Sequence, residues 1–204
     1  DMNSLECQPL DFIASPTAHY TVWLDAHTIG LRASPSVHLN AGIMLIDTET
    51  LEITYISLPN DLSFISFVPI PGTHDFIFSA NPRDALPRTS VQFYTVNMDT
   101  QVVQDFAYDT ALGDSSVTAW LFSPNNHYLL YGNLGSLGNM VLAEFETGRV
   151  IGIYPEVTQA TWLDQDHLLM LNGYEQPPTL SEVSAVTGEA AIIFDDATGM
   201  ILLN

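Results

Sequence analysis

Four of the six histidines in this chain stand at comparable points. His27, His74, His127 and His167 follow the aromatic residues Trp23, Phe67, Trp120 and Trp162 by 4, 7, 7 and 5 residues. Imidazole is a ligand of zinc, copper and nickel, and four of them on one face of a folded chain could hold a transition metal. The uneven spacing favours a plainer role, a solvent-facing polar residue beside a turn, and no metal ligand is assigned among them. Trp23, Trp120 and Trp162 could stack on sugar rings; recurring at strand positions, they are read as packing between neighbouring units. Asp164 and Asp166 begin as a calcium-binding loop does, and Glu175 is twelfth from Asp164. The sixth position, where glycine makes the sharp turn, holds Leu169, so the match is read as coincidence. Asp195-Asp196 is read as a solvated turn.

No catalytic residue and no cofactor site is assigned. The chain has no Gly-x-Ser-x-Gly elbow, no His-Glu-x-x-His and no glycine-rich phosphate loop. Cys7 is the only cysteine, which excludes an intramolecular disulfide and a cysteine-based metal cluster. Carboxylate pairs of the kind that hydrolyse glycosides are available in number, but 24 acids supply so many pairs that none is singled out.

Those acids define the chain electrostatically. They face four arginines and no lysine, giving a formal charge of −20 over 204 residues. Such a surface repels phosphate backbones and anionic lipid, so no nucleic-acid partner is expected unless a cation intervenes, and anionic lipid surfaces are disfavoured. Cationic proteins, divalent cations and neutral ligands fit the charge, and the plainest function of the charge itself is solubility. With 47% hydrophobic and 10% aromatic residues the sequence specifies a folded protein. No apolar run approaches the ~18 residues of a membrane span. The chain starts at Asp1, not at methionine, and on that ground an exported location, periplasmic or extracellular, is expected.

The elements that would position any site are strands, and they repeat. A short apolar strand around an aromatic is followed by a histidine, a second apolar strand, a polar loop and two closing strands. Ala119-Trp120-Leu121 leads to His127-Tyr128-Leu129-Leu130-Tyr131, and Thr161-Trp162-Leu163 leads to His167-Leu168-Leu169-Met170-Leu171. Val22-Trp23-Leu24 before His27 and Ile65-Ser66-Phe67 before His74 supply two more copies. The aromatic anchors are 44, 53 and 42 residues apart. A period in the forties built from strands is that of a β-propeller blade. An all-β propeller of about four blades is expected over residues 1–204. Its units lie near 20–60, 61–112, 113–156 and 157–204, with 1–19 as lead-in or closing strand. Met200-Ile201-Leu202-Leu203 also reads as the first strand of a further blade, which would make the chain part of a larger propeller.

The closing strands are joined by Thr-Gly in the last two units, where glycine supplies the positive φ of a tight turn; the first two lack it and are expected to use a longer polar turn. Loops 33–41, 79–90, 132–139 and 172–180 are where function is expected to sit.

Phe122-Ser123-Pro124-Asn125-Asn126-His127, followed by an apolar strand, resembles the Phe-Ser-Pro-Asp-Gly-Lys repeat of TolB-type and related WD-like β-propellers. Asn125-Asn126 stands where Asp-Gly is usual. The resemblance implies the fold and leaves activity open, because propellers host many functions. The function expected is a non-catalytic binding or assembly module, a propeller subunit that mediates protein–protein interaction in an exported complex, with a protein partner, a basic one suiting the charge. A hydrolase of carbohydrate or ester substrates and a sugar-binding propeller are the alternatives. An enzyme should show acids converging in a pocket; an assembly module should show an apolar patch or an unpaired strand edge.

Overall fold

The computed structural model describes residues 16–33, 41–59, 62–82, 91–106, 117, 119–134, 139–173 and 177–198. Cys7, the tail 200–203 and much of the four loops named above lie outside the described residues. Every regular element described is a strand. The sixteen strands form four antiparallel sheets, each a meander of four consecutive strands. The first sheet is β1 (Pro16–Trp23), β2 (Thr28–Ala33), β3 (Gly42–Asp47) and β4 (Ile53–Ser57). The second is β5 (Leu62–Pro69), β6 (Asp75–Pro82), β7 (Gln92–Asn97) and β8 (Val103–Phe106). The third is β9 (Ala119–Phe122), β10 (Tyr128–Gly132), β11 (Asn139–Glu144) and β12 (Val150–Pro155). The fourth is β13 (Val157–Trp162), β14 (His167–Asn172), β15 (Thr179–Ser184) and β16 (Ala190–Phe194). Residues 16–19, expected as lead-in, belong to β1.

Two compact units divide the chain, residues 1–60 and 61–204. The first holds the first sheet, whose Leu31, Ala33, Met44, Ile53 and Tyr55 pack together on one face. The second holds three sheets stacked face to face in order, because alternating side chains give each central strand two apolar faces. Ile77, Phe93 and Val91 of the second sheet meet Leu129, Tyr131, Val141 and Trp120 of the third. Leu130, Met140, Leu142 and Tyr154 on the third sheet's other face meet Ala160, Leu168, Met170, Val183 and Trp162 of the fourth.

Aromatic rings delivered by the first strand of one sheet join it to the sheet before. Trp120 meets Phe93 edge-on at 5.2 Å, and Trp162 stacks on Tyr128 at 6.4 Å. The indole N–H groups are both used. Trp162 Nε1 donates to Leu121 O at 3.2 Å, and Trp120 Nε1 donates to Ser66 Oγ at 2.9 Å. Ser66 is 2% exposed, and its one proton goes to Val117 O at 2.5 Å. That leaves Ser79 as the donor in the 3.0 Å contact between the two serines, so the hydroxyl of Ser66 is fully used at the interface.

All four hairpins that close the sheets have the same length. Leu51 N donates to Asp47 O, Gln101 N to Asn97 O, Gly148 N to Glu144 O and Gly188 N to Ser184 O. The expectation of a longer turn in the first two units is corrected: Leu51 (φ 62°) and Gln101 (φ 58°) adopt the left-handed conformation that Gly148 and Gly188 take in the others. Asp47 Oδ1 accepts from Glu49 N and Thr50 N, and Asn97 Oδ1 from Asp99 N and Thr100 N, which holds the turns against that strain. Gly188 has a second reason to be glycine. A Cβ there would lie 2.7 Å from Ile151 O of the third sheet.

Three outcomes follow. Ser66→Ala leaves Trp120 Nε1 and Val117 O unpaired at a buried interface and should lower stability by about 2 kcal/mol in denaturant unfolding; a change within error would remove the serine from the interface energetics. Gln101→Gly relieves a left-handed non-glycine residue in an exposed turn and should raise stability by up to about 1 kcal/mol; a lower melting temperature would contradict it. Glu144 accepts from Arg149 and Thr147, which lowers its carboxyl from 4.5 to about 2. Its contribution is therefore present above the unfolded value and lost as pH falls through about 2. Melts of Glu144→Gln against wild type should differ at neutral pH and converge near pH 2; a gap independent of pH would show that the charge contributes nothing.

Candidate functional site

The histidines fall into a common frame once the two hairpins of each sheet are compared. The backbone N–H of the second turn residue in each closing hairpin donates to a carbonyl at the end of the first hairpin. The pairs are Thr48 to His27, Met98 to His74, Phe145 to His127 and Ala185 to Asp166. Three histidines are thus equivalent, and the fourth position of the set is Asp166. His167 lies one residue later, paired with Ser184 as Tyr128 is with Glu144. A shift of one residue along a strand moves a side chain to the other face, so His167 is the structural counterpart of Tyr128. The equivalence of all four histidines expected from the sequence is corrected accordingly. Among the described residues, no three His, Cys, Asp or Glu side chains gather to hold a metal ion.

In the first two sheets the equivalent histidine meets an acid on the closing turn. His27 Nδ1 lies 3.0 Å from Glu49 Oε1, and His74 Nδ1 lies 3.2 Å from Asp99 Oδ2, all four side chains more than half exposed. Asp164, which opened the calcium-like sequence, is a turn cap. Its Oδ1 accepts from Asp166 N and His167 N at 2.8 Å each, and His167 Nδ1 lies 3.1 Å away. These bonds, the backbone N–H of Asp166 foremost, hold its carboxyl below the usual range. Asp25 Oδ1 performs the same task for His27 N and Thr28 N, with the same downward effect.

The tryptophans also fall into a frame. Trp23 pairs with Ile29 and Trp162 with Leu168, each partner two residues past the reference carbonyl, and Phe122 pairs with Leu129 at that place. Trp120 pairs with Tyr131, two residues further on, where Phe67 pairs with Phe78 in the second sheet. In the third and fourth sheets both positions point to the face that meets the preceding sheet. Their assignment to packing between units holds for Trp120 and Trp162; Trp23 is 59% exposed.

The fourth sheet differs from the others at its far face and outer strand. The turn and strand 147–154, Thr-Gly-Arg-Val-Ile-Gly-Ile-Tyr, align with 187–194, Thr-Gly-Glu-Ala-Ala-Ile-Ile-Phe. Tyr154 pairs with Met140 as Phe194 pairs with Leu180. Tyr154 is 8% exposed and its hydroxyl donates to Gly188 O at 2.9 Å across to the fourth sheet, whereas Phe194 is 49% exposed. Glu182 occupies the place of Leu142, facing Leu169 as Leu142 faces Leu130. Beside it a concavity of about 630 Å³ is lined by His167, Glu182, Ser184, Glu189, Ala190 and Ala191. A smaller polar recess of about 230 Å³ on the second sheet holds Asp75, Thr95, Asn97 and Gln104, with Asn97 Nδ2 donating to Asp75 Oδ1 at 2.7 Å.

Sequence reasoning placed function in the loops and missed this face. The available signal was the substitution of Leu142 by Glu182 in otherwise parallel strands. A charged residue in a facing-sheet position marks a face that is not packed as its counterpart is.

No family model matches the chain, and no curated protein matches it. Solved structures do. The β-propeller domain of the Trilobed protease from Pyrococcus furiosus superposes with a TM-score of 0.57 at 9% identity, over 87% of this chain and 58% of that one. TolB from Acinetobacter baumannii gives 0.56 at 16%, over 88% and 43%. The tricorn protease gives 0.63 at 14%, over 95% and 18%. This chain therefore spans about half the length, or less, of the propellers it resembles. At these identities the likeness is one of fold, and it includes proteases as well as TolB: the chain is an all-β protein with the fold of a TolB-like β-propeller, of about four blades.

Proposed function

We propose that this chain is a non-catalytic assembly module, a propeller subunit of an exported complex that engages a protein partner along the outer edge of its fourth sheet. The observation that carries the reading is β16. All five of its residues are exposed, while the outer strands of the other sheets each keep half-buried or buried positions. Ile192, Ile193 and Phe194 are 65%, 45% and 49% exposed. Edge strands are ordinarily guarded by charge or proline against pairing with another chain. Asp105 stands within β8 and Pro155 ends β12; β16, like β4, contains neither kind of guard, and unlike β4 it has no half-buried or buried position. Among the described residues it pairs with β15 on one side only, an arrangement that suits strand addition on the other.

The charges around it describe the partner. Glu189 precedes β16 and Asp195-Asp196 follow it. An extended segment with an apolar middle and basic residues at both ends matches that pattern, and the net charge of −20 steers such a partner in. Capture by chemical crosslinking from the native source, with wild type and Ile192→Lys in parallel, tests the reading. The expected result is a protein retained by wild type and lost from the variant; the same set retained by both would remove β16 as the contact. Turnover of carbohydrate or ester substrates by the purified chain would overturn the non-catalytic assignment.

A further inference from the structure

The third and fourth sheets are joined by a ring-in-seat contact whose two halves both have counterparts elsewhere among the described residues. The seat is Tyr128, on whose ring Trp162 of the next sheet stacks at 6.4 Å with an interplanar angle of 18°. In the fourth sheet the counterpart of Tyr128 is His167. Its ring is held by Asp164 and lines the concavity of about 630 Å³. Glu182 and Ala191 stand there in place of Leu142 and Gly152, beside Leu169 and Phe194. The ring is Trp23, the register counterpart of Trp162, and it is 59% exposed.

We propose that the fourth sheet's far face is an interface for a second copy of this chain, whose Trp23 seats in the concavity beside His167 as Trp162 seats on Tyr128. The contact is head-to-tail, Trp23 of one copy against His167 of the other, and it uses the sheet's face, independently of the strand edge assigned to a partner above. It continues the face-to-face stacking of the second unit's sheets and repeats the ring contact that joins the third sheet to the fourth. Two copies supply about eight blades, within the range that propellers adopt. A heterologous contact of this kind closes when the two ends meet and otherwise runs on to larger assemblies. Because each copy carries a charge of −20, association is opposed at long range and strengthens as salt screens it.

The test is light scattering coupled to size exclusion on the full chain, on Trp23→Ala, on Ala191→Trp, which fills the seat without adding charge, and on an equimolar mixture of the two variants. Both positions are exposed, and near-ultraviolet circular dichroism confirms that each variant is folded. Wild type is expected at twice the 22.4 kDa of one chain or more, increasingly so at higher ionic strength. Each variant alone should associate roughly tenfold or more weakly, as removal of an aromatic anchor does. The mixture should recover association, since Trp23 of the Ala191→Trp copy meets an intact seat on the other. A wild type at the mass of one chain at every concentration and ionic strength overturns the proposal. So does an oligomer that survives both substitutions. Ile192→Lys, run alongside, should associate as wild type does; its failure in the crosslinking experiment bears on the edge reading alone.

Discussion

The second unit depends on one repeated constraint: the tryptophan from the first strand of the third and of the fourth sheet must pack against the sheet before it, with its indole N–H satisfied. Trp120 and Trp162 meet that constraint differently. Trp162 donates to a strand carbonyl, Leu121 O, which any sequence would provide. Trp120 needs Ser66, whose hydroxyl also serves Val117 O and Ser79, so three groups from two other chain segments converge on one buried oxygen. A fully paired buried polar cluster fixes one register of sheet on sheet, because sliding by a single residue would leave several of its members unpaired. The apolar contacts around it supply most of the attraction and little of this specificity.

The ends of the hairpins are uniform too. Within the second unit three sheets stack by repeated contacts, and in each of them the closing hairpin is tied to the first hairpin by its bond to the reference carbonyl. Two turns hold the left-handed position with glycine, and two with Leu51 and Gln101, stabilised by the side-chain caps of Asp47 and Asn97. Carboxylates used as turn caps stay ionised, and the downward shifts at Asp25, Asp47 and Asp164 have this origin in common. Part of the chain's negative charge is thus structural. The stability these acids contribute belongs to neutral pH and is lost in acid.

Much of the architecture was legible because period, strand length and turn residues are local properties. The alternation in 51–56 and the Thr-Gly turns gave strands and hairpins where the structure has them. What was illegible was phase. A histidine near a turn and a tryptophan near a strand end look alike in four copies. Yet a slip of one residue puts His167 on the opposite face from His127, and a slip of two sets Trp120 apart from Trp23 and Trp162. Phase is decided by hydrogen bonds between hairpins, which composition does not encode. Loops drew attention as sites because loops vary, while the face that departs from its siblings lies in regular strands.

That departure has a physical logic. The far face of the fourth sheet is bordered by a strand that, like β4, has neither the charge of β8 nor the proline of β12. If it were meant for permanent burial within this chain, Leu142 and Tyr154 would be matched by residues as large and apolar. It has instead a carboxylate and an alanine around an imidazole, framed by Leu169 and Phe194: enough apolar surface to gain from burial, enough polarity to remain tolerable in solvent. Interfaces that form after folding have this composition, because they must satisfy both states. Trp23 shows the same compromise from the other side, since tryptophan joins a large apolar surface to an N–H donor that water or a partner can satisfy. The proposed assembly reading rests on that physical balance more than on any resemblance of fold.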